Sequence, residues 1–147
     1  SVVAAGGIYA IFLLAGTVSG LLSGHISDRI GFKPVLLFVF LLMPAALWLL
    51  LGVGGAWVYL GAVVAGGFVL APLPLGVTMA QTLAPRGRSM VASLMMGFAY
   101  GLGGLTTPLI GKLADTYTIE PVLTVMAAIP LVAAAVITVL PRTKANG

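Results

Sequence analysis

The chain has 147 residues, of which 61% are hydrophobic and 7% charged, with a formal net charge of +4 and a mean hydropathy of +1.20. Soluble domains carry about 25% charged residues, so a chain this poor in charge could not cover its own surface in water and requires lipid as its solvent. Cysteine is absent, which excludes disulfides and thiolate metal sites.

A membrane-crossing helix takes about 20 predominantly apolar residues, and five stretches qualify. The first, Val2–Ser23, carries Tyr9, Thr17, Ser19 and Ser23, and its Gly16, Gly20 and Gly24 recur every four residues along one face. The second, Val35–Leu51, extends through Val53 and holds no side chain more polar than Trp48. The third, Trp57–Leu83, carries Tyr59, Thr78, Gln81 and Thr82 around the close pair Pro72 and Pro74. The fourth, Met90–Ile110, has Ser93, Tyr100, Thr106 and Thr107, with Gly97 and Gly101 four residues apart. The fifth, Pro121–Leu140, has only Thr124 and Thr138. No stretch alternates as the strands of a lipid barrel do, so helices must satisfy the backbone polar groups. The predicted class is an all-α membrane protein with five transmembrane helices.

Polarity sorts these spans. The second and fifth suit positions facing lipid, whereas the first, third and fourth suit a cavity or helix–helix contacts. Small residues spaced by four let backbones approach closely, which marks Gly16, Gly20, Gly97 and Gly101 as helix-packing candidates. Glycine is also simply common in membrane helices. Each proline inside a span removes a backbone donor and loosens its helix, either as a packed kink or as a moving part. Tyr59, Thr78, Gln81 and Tyr100 are candidates for a substrate cavity; the alternative for each is an ordinary interhelical hydrogen bond.

Charge sets the expected topology. Arg29 and Lys33 follow the first span, Arg86 and Arg88 the third, and Arg142 and Lys144 the fifth, while Lys112 alone lies on the other side. The positive-inside rule makes the richer side cytoplasmic, with the N-terminus external and the C-terminus cytoplasmic. The basic balance is topological and points to no nucleic acid. The chain opens at Ser1 and enters a span almost at once, without a signal-peptide pattern. The simplest expectation is a fragment of a longer protein.

The most specific stretch is Gly24-His25-Ile26-Ser27-Asp28-Arg29-Ile30-Gly31-Phe32-Lys33-Pro34. Asp28 at a helix C-terminus meets the unfavourable end of the macrodipole, so it needs compensation from Arg29 or from another helix's N-terminus. Such a contact can act as a lock that holds in one conformation and breaks in another. Gly31 permits a tight turn, and Arg29 and Lys33 can snorkel at the interface. A basic loop that only fixes topology is the alternative. The stretch closely resembles the G-x-x-x-D-R-x-G-[RK]-[RK] loop of the major facilitator superfamily, with Lys33 at the last basic position and Phe32 replacing the other. In that family the loop follows the second helix of each six-helix half. Four spans follow it here, so the resemblance implies that the five spans are helices eight to twelve of a twelve-helix fold. It implies a gating role for Gly24, Asp28, Arg29, Gly31 and Lys33. The segment Ala80–Ser93, with the glycine-rich fourth span, looks like the drug-efflux branch near fosmidomycin-resistance proteins.

An internal echo runs through the chain. Gly24-x-x-x-Asp28 and Gly111-x-x-x-Asp115 each close a span, at opposite membrane faces by the topology above, as in inverted-topology repeats.

No acid or base lies deep within a span, and such residues are the usual mark of a proton path. His25 stands alone at a span end and reads as interfacial. No nucleophile–base–orienter set can be assembled, and no phosphate loop or metal cluster appears, so neither an enzyme nor a cofactor is expected. The function that follows is alternating-access transport of a small solute by the intact protein, implied by resemblance to be proton-coupled efflux of a drug-like or small polar compound. Its partners are the lipid bilayer, the first half of the same transporter and a small-molecule substrate. Its site would be the plasma membrane, the inner membrane of a bacterium. The competing reading is a non-transporting five-span scaffold or assembly subunit.

Overall fold

A computed structural model describes residues 2–140, and its regular structure is entirely helical. The helices are α1 (Val2–Ile30), α2 (Phe32–Gly52), α3 (Trp57–Leu70), α4 (Pro72–Leu83), α5 (Arg88–Tyr117), α6 (Ile119–Met126) and α7 (Ile129–Val139), with a 3₁₀ turn at Pro85–Gly87. Five stretches are long and apolar enough to cross a membrane: Val2–Ile30, Phe32–Gly52, Trp57–Leu83, Pro85–Tyr117 and Ile119–Val139.

Two spans run further than their apolar cores. At 1.5 Å per residue α1 is about 43 Å long, against about 30 Å of hydrocarbon. Nothing after Ser23 breaks the hydrogen-bond ladder until Gly31, so the Gly24–Arg29 stretch is helical. The loop expected there shrinks to one residue, a correction to its extent. α5 likewise continues through Lys112 and Asp115 to Tyr117.

Two spans are interrupted, each at proline. Ala71 between α3 and α4 keeps helical dihedrals (φ −60°, ψ −37°). The interruption comes instead from Pro72 and Pro74, which lack the amides that would bond the carbonyls four residues back. Between α6 and α7, Pro130 removes another such bond, and the Leu131 amide turns to the Ala128 carbonyl at 3.0 Å.

The described residues form two compact units, 2–75 with 127–140, and 76–126. In the first, α1 and α3 make the tightest contact. A Cβ built on Gly66 would fall 2.1 Å from the Phe12 carbonyl oxygen, and one on Gly16 would fall 2.2 Å from Leu70 Cδ1. Ala62 and Ala65, both fully buried, line the same helix. Small residues substitute here for the hydrophobic drive that lipid does not supply.

Within this unit α2 packs against both α3 and α7. It buries Phe32, Val35, Leu36, Val39, Met43, Pro44 and Ala46, with Phe38 and Phe68 rings 6.2 Å apart. The rest of α2 is open: Phe38, Leu41, Leu42, Trp48, Leu49 and Leu51 are exposed, so one side of the helix is core and the other is available to lipid. Lack of polar groups does not separate the two environments, because lipid tails are as apolar as leucine.

In the second unit the end of α4, the 3₁₀ turn, α5 and α6 follow one another closely. Gln81 Nε2 donates to the Arg88 carbonyl at 3.4 Å, joining α4 to the start of α5, and α5 packs on α6. None of the residues of α5 is buried.

Candidate functional site

The Gly24–Lys33 segment is built by the last two turns of α1 and the first of α2. Ser23 and Ser27 sit on the buried side of α1. Their hydroxyls donate to the Gly20 and Gly24 carbonyls at 3.0 and 2.7 Å, so neither buried hydroxyl is left unsatisfied. Asp28 and Arg29 follow on the exposed side. Asp28 is two residues from the helix end at Ile30, where free carbonyls make a carboxylate unfavourable without compensation.

Gly31 closes α1 by donating its amide to the Ser27 carbonyl at 2.8 Å, and its dihedrals are φ 93°, ψ 160°. That region is essentially restricted to glycine, so the signature glycine is required by the one-residue turn. Lys33 reaches across to another helix. Its Nζ donates to the Thr138 carbonyl at 2.7 Å and also to the Leu140 carbonyl, at the end of α7.

The echo in the sequence has a backbone counterpart. Asp115 precedes the end of α5 at Tyr117 by two residues, and Thr118 then takes φ 71°, ψ 162° before α6 begins. Both copies thus read as a helix, an aspartate, two residues, and one residue in the same unusual conformation. Threonine is β-branched and strained there.

The four cavity candidates divide between the units, Tyr59 in the first and Thr78, Gln81 and Tyr100 in the second. Tyr59 lies in the first turn of α3 and Gln81 in the last turn of α4, at opposite ends of the Trp57–Leu83 span. Thr78 is exposed, and its carbonyl accepts the Thr82 hydroxyl at 2.9 Å. Tyr100 is exposed near the middle of α5. A cavity of about 950 Å³ lies among α1, α2 and α3, walled by residues such as Val18, Leu22, Phe38, Val63 and Phe68. Its only hydroxyl-bearing residues are Ser19 and Ser23, and none of the four candidates lines it.

The packing glycines divide. Gly16 meets Leu70, and a Cβ on Gly20 would meet Pro74 Cγ at 3.5 Å. A Cβ on Gly24, Gly97 or Gly101 would meet nothing within 4 Å among the described residues. On α5 the two glycines floor an open groove of about 360 Å³ walled by Leu94, Phe98, Leu102 and Leu105. Sequence reasoning missed Gly66, although Ala62-x-x-x-Gly66 is a small-residue pair at the spacing used for the others. It also missed the strain at Thr118, which the echo of Gly31 would have located.

The family model described as Major Facilitator Superfamily matches residues 1–147. The chain belongs to the major facilitator superfamily. It is an integral membrane protein. It is similar to a fosmidomycin resistance protein of Escherichia coli (strain K12), 32% identical over 121 residues, covering 82% of this chain and 30% of that relative. It is also similar to an uncharacterized MFS-type transporter of Bacillus subtilis (strain 168), 30% identical over 122 residues, with the same shares of 82% and 30%. The chain thus spans about 30% of the length of these curated relatives. No solved structure matches at a significant level.

Proposed function

We propose that this chain is part of the C-terminal half of a secondary transporter, its spans being helices eight to twelve of a twelve-helix carrier. The intact protein moves a small solute by alternating access, one bundle rocking against another around a midplane site. The supporting observation is the Gly24–Lys33 segment within a chain matched to this family along its whole length. Its acid–base pair is exposed at the end of α1, free to meet another helix in one conformation and to part from it in the other.

In this reading Gly24, Asp28, Arg29, Gly31 and Lys33 form the gating segment. Thr78 and Tyr100 are the better placed of the cavity candidates, because Tyr59 and Gln81 stand at the ends of their span. Gly97 and Gly101 present an open groove suited to a close helix neighbour from the remainder of the transporter. The finer proposal is proton-coupled efflux of a drug-like compound, as the family resemblance implies, and the name of the fosmidomycin resistance relative makes fosmidomycin the first substrate to try. Asp28, Asp115 and Glu120 all lie in the first or last turns of helices, so the coupling carboxylate is assigned to the part of the protein outside this chain.

The orientation proposed is N-terminus external and C-terminus cytoplasmic. The bond from Lys33 to the end of α7 supports it in part, since it puts the start of α2 and the end of α7 on one face. Arg142 and Lys144, which entered the charge argument, lie outside the described residues.

The test is Asp28→Asn in the complete protein, purified and reconstituted in vesicles with a proton gradient. The substitution keeps shape and removes charge, so transport should fall at least about tenfold, the order expected for a charged contact worth over 1.4 kcal/mol, while insertion is unchanged. Wild-type transport by that variant refutes the gating role.

A further inference from the structure

The α1–α2 turn and the end of α7 are 105 and more residues apart in sequence, yet one side chain joins them. A helix leaves its last four carbonyls without intrahelical partners. In α7 these include Thr138 and, just beyond the helix, Leu140, which takes extended dihedrals (φ −66°, ψ 143°). An ammonium carries three donors and no acceptor, and its charge is favoured at the negative end of the helix dipole. Lys33 places two of those donors on two of those carbonyls. Its backbone is fixed from behind, because Gly31 and Phe32 are buried and the following α2 packs along α7.

We infer that Lys33 is a clasp between the α1–α2 turn and the C-terminal end of α7, a positioning residue that makes these two segments one body. Asp28 and Arg29 are held five and four residues upstream of it across a turn with a single non-helical residue. Their setting at the membrane face therefore depends on the last helix. The clasp is a property of the fold and stands whether or not the protein transports.

The test uses the complete protein purified into nanodiscs. Competitive amine labelling of the wild type, read by mass spectrometry, compares Lys33 with Lys112, which is exposed on α5. With two carbonyls on its ammonium, Lys33 should react several-fold more slowly, and denaturation should abolish the difference. Hydrogen exchange is then followed in Lys33→Met and Lys33→Arg. Loss of the charged donor should speed exchange of the Ile137–Leu140 amides about tenfold, the scale of one charged helix-end contact. Exchange in α5 should stay unchanged, and Lys33→Arg, which keeps charge and donors, should restore protection.

Equal labelling of Lys33 and Lys112 overturns the inference, as does identical exchange in the methionine and arginine variants. Lys33 labelling that follows the anionic lipid content of the nanodisc, with no protection in zwitterionic lipid, means a headgroup contact and overturns it too. If Lys33→Met does not fold, the wild-type labelling and the arginine variant still decide.

Discussion

A Cβ placed on Gly66 would lie 2.1 Å from the Phe12 carbonyl oxygen, 2.8 Å from its carbonyl carbon and 2.9 Å from its Cα. All three atoms are backbone, so no rotamer change relieves the overlap and the two helices must move apart. Gly66→Ala gains about 0.5–1 kcal/mol from the better helix propensity of alanine. Overpacking of a close contact costs about 1–3 kcal/mol, and an overlap with rigid backbone belongs at the upper end. The net expected effect is a loss of about 1–2 kcal/mol. For a chain of this size that lowers the melting temperature by about 2–8 °C. The assay is thermal unfolding of the purified protein in one detergent, followed by circular dichroism. Gly67→Ala is the internal control, because its nearest contact, Ser19 Cβ at 3.6 Å, is ordinary, so it should melt at or slightly above the wild type. If Gly66→Ala melts no lower than Gly67→Ala, the close approach of α1 and α3 is refuted.

Thr118→Gly should raise stability by about 1 kcal/mol, the low end of the strain at such dihedrals, and the same melting assay checks it; no rise would mean that the turn is not strained. The reverse change at the matching position, Gly31→Thr, should lower the melting temperature. Reporter fusions after Lys33 and after Arg88 should read cytoplasmic and one after Gly55 external, and any reversal breaks the proposed topology.

The five spans were legible because hydropathy over some twenty residues is a strong local signal. Their ends were not, since a helix does not stop where hydrocarbon stops: α1 passes Ser23 by seven residues and α5 passes Ile110 by seven. Pro72 and Pro74 mark the interruption of the third span and Pro130 that of the fifth, whereas α2 and α5 run on through Pro44 and Pro108, so a missing amide alone does not decide a break. The Gly24–Lys33 segment was visible as a pattern, and Gly31 in its glycine-only conformation explains one of its letters. What Lys33 touches was not readable, since its partners are carbonyls, which every residue has. Which side of α2 is core was not readable for a related reason: composition distinguishes polar from apolar, but in lipid an apolar side chain serves equally as core or as surface.

The single residue between α1 and α2 has a mechanical consequence. One residue offers two soft torsions and about 3.8 Å of chain, and Gly31 is buried with its amide tied to the Ser27 carbonyl. A flexible loop would absorb a shift in the foot of α1 as slack. This joint has none to give, so a tilt or twist of α1 passes into the top of α2 within one peptide unit, as through a stiff elbow. The two helices are geared together, and a force applied at Asp28 is delivered to α2 before any side-chain contact has changed.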